Sequence, residues 1–159
     1  MNFFKHIYYF TILVFCLTSC VKKKSYSDIP IIEFKDFKPY TNQSGDLEIK
    51  FKDGDGDIGN EFSDSTLNFY AVYYYKDTIT NKYRAYTPCP NNCDTLRSGY
   101  IIRKPENSYQ GKPISGEVSV RLQSFRHSTK IKHIKFVIYL FDNAKHKSNV
   151  VTTPEFNLE

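Results

Sequence analysis

The chain contains no tryptophan, which excludes the buried indole that marks antibody-type domains. No long stretch holds the 3.6-residue hydrophobic period of an amphipathic helix, so helical architectures are excluded as well. No nucleophile elbow, phosphate loop or dinucleotide fingerprint occurs, and His127, His133 and His146 fall into neither a triad nor a metal-ligand spacing. Long apolar runs are missing too. Ile7 to Leu17 is nearly free of polar residues, yet it stops well short of the ~20 that a transmembrane helix needs.

That run follows Lys5 and His6, giving the charged and apolar regions of a signal peptide. Directly behind it, Leu17-Thr18-Ser19-Cys20 resembles the lipobox read by bacterial prolipoprotein-processing enzymes. Leu17 stands third before the cut, Thr18 and Ser19 are small, and Cys20 is the residue that receives lipid. The resemblance implies cleavage after residue 19 and a membrane partner reached through Cys20. Each buried acyl methylene contributes ~0.8 kcal/mol, so several chains on one cysteine hold a protein whose folded part stays in water. Residues 1–19 are then a leader, 20–28 a lipidated tether, and 29–159 one domain of common size.

The formal charge of +5 is concentrated outside that domain, because Lys5 leaves with the leader and Lys22, Lys23 and Lys24 sit in the tether. The domain is close to balanced, so the sequence pI of about 8.9 is no nucleic-acid signature. Lysines beside acidic head groups suit an anchored protein. Of the four cysteines, Cys16 is lost and Cys20 is lipidated, leaving Cys89 and Cys93 around Pro90-Asn91-Asn92. Outside the cytoplasm such a pair is expected to close a small disulfide loop. A thioredoxin-like site needs two intervening residues rather than three, and zinc needs further ligands nearby.

From Ile29 onward the apolar residues alternate with period two. Ile31 to Phe34 opens the domain, and Leu47, Ile49 and Phe51 alternate with charged residues in the next strand. Leu67, Phe69, Ala71 and Tyr73 form the inward row of a long strand, which Lys82 to Tyr86 rejoins as a hairpin partner. After the cysteine loop come Tyr100 to Ile102, then Val118, Val120 and Leu122, then Ile134, Phe136, Ile138 and Leu140. Val150-Val151 through Phe156 and Leu158 close the chain. About seven strands without repeats predict an immunoglobulin-like two-sheet sandwich, with a small barrel as the alternative. The 13 tyrosines fall mostly where strand-forming aromatics belong, so sheet packing rather than a sugar platform is their expected use.

One segment carries distinctive chemistry. Asp53, Asp55 and Asp57 are spaced two apart with glycine between them, so the backbone can turn three carboxylates toward one point. Such a cluster repels itself unless a hard cation neutralises it, and Ca²⁺ tolerates irregular oxygen-rich loops better than Mg²⁺. An EF-hand is excluded, since Ile58 replaces the turn glycine, Asp64 the final glutamate, and a strand precedes the loop. If the strand ending at Phe51 is B, Asp142 to His146 joins F to G, and B–C and F–G loops emerge together. Asp142 is therefore expected to complete the site.

The lipobox, Phe51 to Gly59 and the turn from Asp142 to Ser148-Asn149 are together similar to a group of largely uncharacterised Bacteroidota lipoproteins. In that group a strand ends in Phe-x-Asp-Gly-Asp-Gly-Asp-Ile-Gly. The resemblance implies an exported β-sandwich in the cell envelope, on the outer membrane. The expected role is a non-catalytic binding or accessory module with a loop Ca²⁺, whose partner is an envelope protein or a glycan. The alternative from another class is a metal-dependent hydrolase built on the aspartates. Clustered aspartates in a Gly-rich turn match the paired carboxylates of a glycosidase poorly.

Overall fold

The computed structural model describes residues 26–40, 43–87, 97–104, 111–123, 125 and 130–158. Cys20, Cys89, Cys93 and His127, and with them the expected lipid site and disulfide, lie outside the described residues. The strands are β1 (Ile31–Pro39), β2 (Gly45–Asp53), β3 (Phe69–Lys76), β4 (Tyr83–Ala85), β5 (Arg97–Tyr100), β6 (Ile114–Leu122), β7 (His133–Leu140), β8 (Val151–Thr152) and β9 (Phe156–Asn157). They form two antiparallel sheets, one ordered β1-β2-β6 and the other built on the β3–β7 pair.

In the second sheet β4 and β5 pair in succession along β3, while β8 and β9 pair in succession along β7. Among the described residues nine segments therefore fill seven strand positions, the count that the alternating pattern predicts. The order is that of A-B-E facing C-F-G in an immunoglobulin-like sandwich, with β2 as B, β3 as C, β6 as E and β7 as F, and with β4 and β5 as a seventh position on the free side of C. Among the described residues neither sheet closes on itself, so the arrangement is a sandwich and not the alternative barrel.

Cross-strand pairs build the core. Phe69, Ala71 and Tyr73 stand opposite Leu140, Ile138 and Phe136, and all six are buried. Leu47, Ile49, Val120 and Leu122 face them from the first sheet. Parity on β1 changes midway: the pairing shifts between Phe34 and Asp36, so that Ile32 and Phe37, five residues apart, both point inward. A bulge is what allows this, since an unbroken period of two would send one of them to solvent. Phe37 then meets Phe125, Phe136 and Phe156 at ring-centroid distances of 5.2, 5.3 and 4.8 Å. The outer face of the first sheet is a charge ladder, with Lys35 bridging Glu48 and Glu117, and Arg121 paired to Asp46.

Register also decides what meets at the ends of the sandwich. Ile31 is opposite Lys52, so the chain enters β1 at the end where β2 leaves for the B–C loop. Phe69 is opposite Leu140, which brings the F–G turn to that same end. Two expected inward residues lie outside the core: Leu67, 45% exposed, and Val150, 54% exposed. Each sits one or two positions before its strand begins, where no sheet neighbour fixes its face.

Candidate metal centre

Strand alternation places the first acidic ligand. Gly45, Leu47, Ile49 and Phe51 occupy the buried face of β2, and Asp53, last in the strand, continues that row with no exposed surface. Asp142 does the same for β7, two residues beyond Leu140 on the row of Ile134, Phe136 and Ile138, and is 2% exposed. The period that buries aliphatic side chains thus carries two carboxylates inside.

The loop then folds around Asp53. One of its oxygens, Oδ2, accepts the amide of Asp57 at 2.9 Å, and Gly56 allows the tight curl with a left-handed φ of 71°. Asp57 reaches across to the F–G turn, where its Oδ2 accepts the Ala144 amide at 2.9 Å. Asn143 returns the contact, donating from Nδ2 to the Gly59 carbonyl at 3.0 Å. Asp142 accepts the His146 amide at 2.7 Å, and its other oxygen lies 3.0 Å from His146 Nδ1. Sequence reasoning missed Asn143, Ala144 and His146 because their part is local turn geometry, which no residue pattern announces.

In Asp53 and Asp57 the two oxygens divide the work. Each Oδ2 holds the loop together, while each Oδ1 is buried without a hydrogen-bond donor, as is Oδ1 of Asp55. Buried polar oxygens are nearly always paired, and leaving one bare costs about 1–3 kcal/mol, more when it is charged. Three such oxygens in one loop are hard donors of the kind a bound cation would satisfy. Asp53, Asp57 and Asp142 each offer one oxygen within 4.8 Å of the others. Asp55 is half-buried and falls outside that tight group, though its charge acts on both Asp53 and Asp57.

Electrostatics agree. Burial, followed by the charge of Asp55, pushes the Asp53 carboxyl up from 3.8 to about 6. Asp57 is raised as well, by burial first and then by Asp142. These are the directions expected of carboxylates gathered without a counter-charge. With Ca–O bonds of 2.3–2.6 Å, one Ca²⁺ spans oxygens up to about 5 Å apart, which covers the separations in this group. The donor set, all hard oxygen on a flexible loop, fits calcium.

No protein-family model, curated protein or solved structure matches this chain.

Proposed function

We propose that the protein is an envelope lipoprotein, held to the outer membrane by lipid on Cys20, whose sandwich is a non-catalytic binding or accessory module. In this reading Asp53, Asp55, Asp57 and Asp142 hold a Ca²⁺ that braces the B–C loop against the F–G turn. The observation carrying the cation site is the trio of buried Oδ1 atoms on Asp53, Asp55 and Asp57 that lack a donor.

Bracing is favoured over hydrolysis by where the ligands sit. A catalytic metal must expose a coordination position to substrate, whereas Asp53, Asp57 and Asp142 are at most 8% exposed. Their remaining oxygens are committed to the backbone of the two loops rather than turned to a cleft.

The test is thermal unfolding with and without calcium. A site filled to 100 times its dissociation constant adds about 2.7 kcal/mol. For a domain of this size that is a rise of roughly 8–15 °C in Tm. Asp55→Ala is expected to abolish most of that rise without lowering Tm in chelator. Equal losses in both conditions would show that Asp55 acts without a metal.

A further inference from the structure

The acidic loop has a second neighbour that the cation reading leaves unused. Gly54 lies between two candidate ligands, and a Cβ there would stand 2.5 Å from the Tyr26 carbonyl oxygen, 2.7 Å from the Ser27 carbonyl carbon and 2.8 Å from Asp28 Oδ1. Two of these are backbone atoms, so the segment leading into β1 rests directly on the loop. Gly54 does not have a left-handed φ, unlike Gly56 and Gly59. Glycine is required at position 54 for clearance rather than for conformation.

From this contact we infer that cation occupancy clamps residues 26–28 onto the loop and so sets how freely the sandwich pivots on the chain that precedes it. The inference rests on the cation reading above. With Asp53, Asp55 and Asp57 tied to one ion, the floor under Tyr26 to Asp28 is rigid. Without it, carboxylates flanking Gly54 repel one another, the loop opens, and the segment loses its seat. Only five residues lie between Cys20 and Tyr26, a reach of about 20 Å over six Cα steps when fully extended. Slack released at Tyr26 is therefore a large share of the slack available to the whole tether.

Two features limit the coupling to this segment. Pro30 is buried, and the Ile32 amide is held by Asn149 Oδ1 at 2.7 Å, so β1 proper is fixed independently of the loop. The hinge consequently falls at residues 26–29, where the Ile29 amide donates to the nearby Ser27 Oγ.

Hydrogen exchange followed by mass spectrometry on the full chain in detergent reads this directly, with CaCl₂ compared against EGTA. Calcium is expected to slow exchange at least tenfold both in peptides covering 53–57 and in those covering 26–31. Asp55→Ala should remove both protections. Gly54→Ala should still take up calcium by calorimetry and still protect 55–57, yet lose the protection of 26–31. Protection of the loop with no change at 26–31 in the unaltered protein would overturn the clamp alone. Absence of protection at the loop itself would overturn the cation reading and the clamp together.

Discussion

In the proposed centre a proton and a calcium ion would compete for the same buried oxygen of Asp53. Its carboxyl is raised to about 6, so the folded state without metal binds a proton more tightly than the unfolded chain does. That preference stabilises the fold fully below pH 4 and is lost as pH rises through 6. In chelator, Tm is expected to fall between pH 4.5 and pH 7, and Asp53→Asn should flatten the curve. Calcium should reverse the slope, because its uptake requires the deprotonated form. The surface carboxylates Asp46 and Glu48, lowered by hydrogen bonds to Arg121 and Lys38, act in the opposite sense, but only below about pH 4.5. A flat profile from pH 4.5 to 7 in chelator would mean that Asp53 is not confined without a counter-charge. The spacing of the three aspartates made the loop visible in the sequence. The inward parity of Asp53 and Asp142 was equally readable, since each extends an apolar row by one step. How oxygens are divided between loop and centre was not readable, because it depends on backbone amides meeting across 87 positions of chain.

Side chains complete strands where the backbone stops short. β8 is only two residues long, and on either side of it hydroxyls take the place of strand acceptors. Ser148 Oγ accepts the Leu140 amide at 3.0 Å, and Thr153 Oγ1 accepts the Phe136 amide at 2.9 Å. Asn149 extends the idea between sheets, accepting from the Ile32 amide at 2.7 Å and donating to its carbonyl at 2.9 Å. Replacing Asn149 with Ala removes both bonds and leaves a part-buried amide bare. We expect a loss of about 1–3 kcal/mol in urea unfolding, with the m-value unchanged. A shift below about 0.5 kcal/mol would show that water replaces the side chain without cost. These substitutions explain which strands the alternating pattern revealed. β2, β3, β6 and β7 run for eight or nine residues, with inward rows fully buried in β2 and β7 and at least half-buried in β3 and β6, so period two was unmistakable. The short segments β5, β8 and β9 bury too few residues to show a period, and the bulge on β1 hid the continuation of that strand to Pro39.

For the molecule as a whole, Cys20 is the residue on which the proposed address turns. Cys20→Ala should abolish acylation, shift the protein from the membrane pellet to the soluble fraction, and leave the calcium-dependent Tm rise intact. Retention in the pellet at an unmodified mass would refute the lipid anchor while leaving the cation site standing. The sandwich itself followed from sequence because its core is a simple sum of alternating rows. Placement of the B–C loop and the F–G turn beside the incoming chain followed only once the β1–β2 register was known.

That register has a mechanical side. Drag on the domain would travel through residue 26 to the Ile31–Lys52 pair, the first rung of an antiparallel ladder along an edge strand. A ladder pulled from its end breaks rung by rung, which is its weakest mode. Asn149 grips Ile32 one rung further in and belongs to the turn of the opposite sheet. Peeling β1 away therefore has to rupture a hold on both layers at once, at the point where the load first arrives.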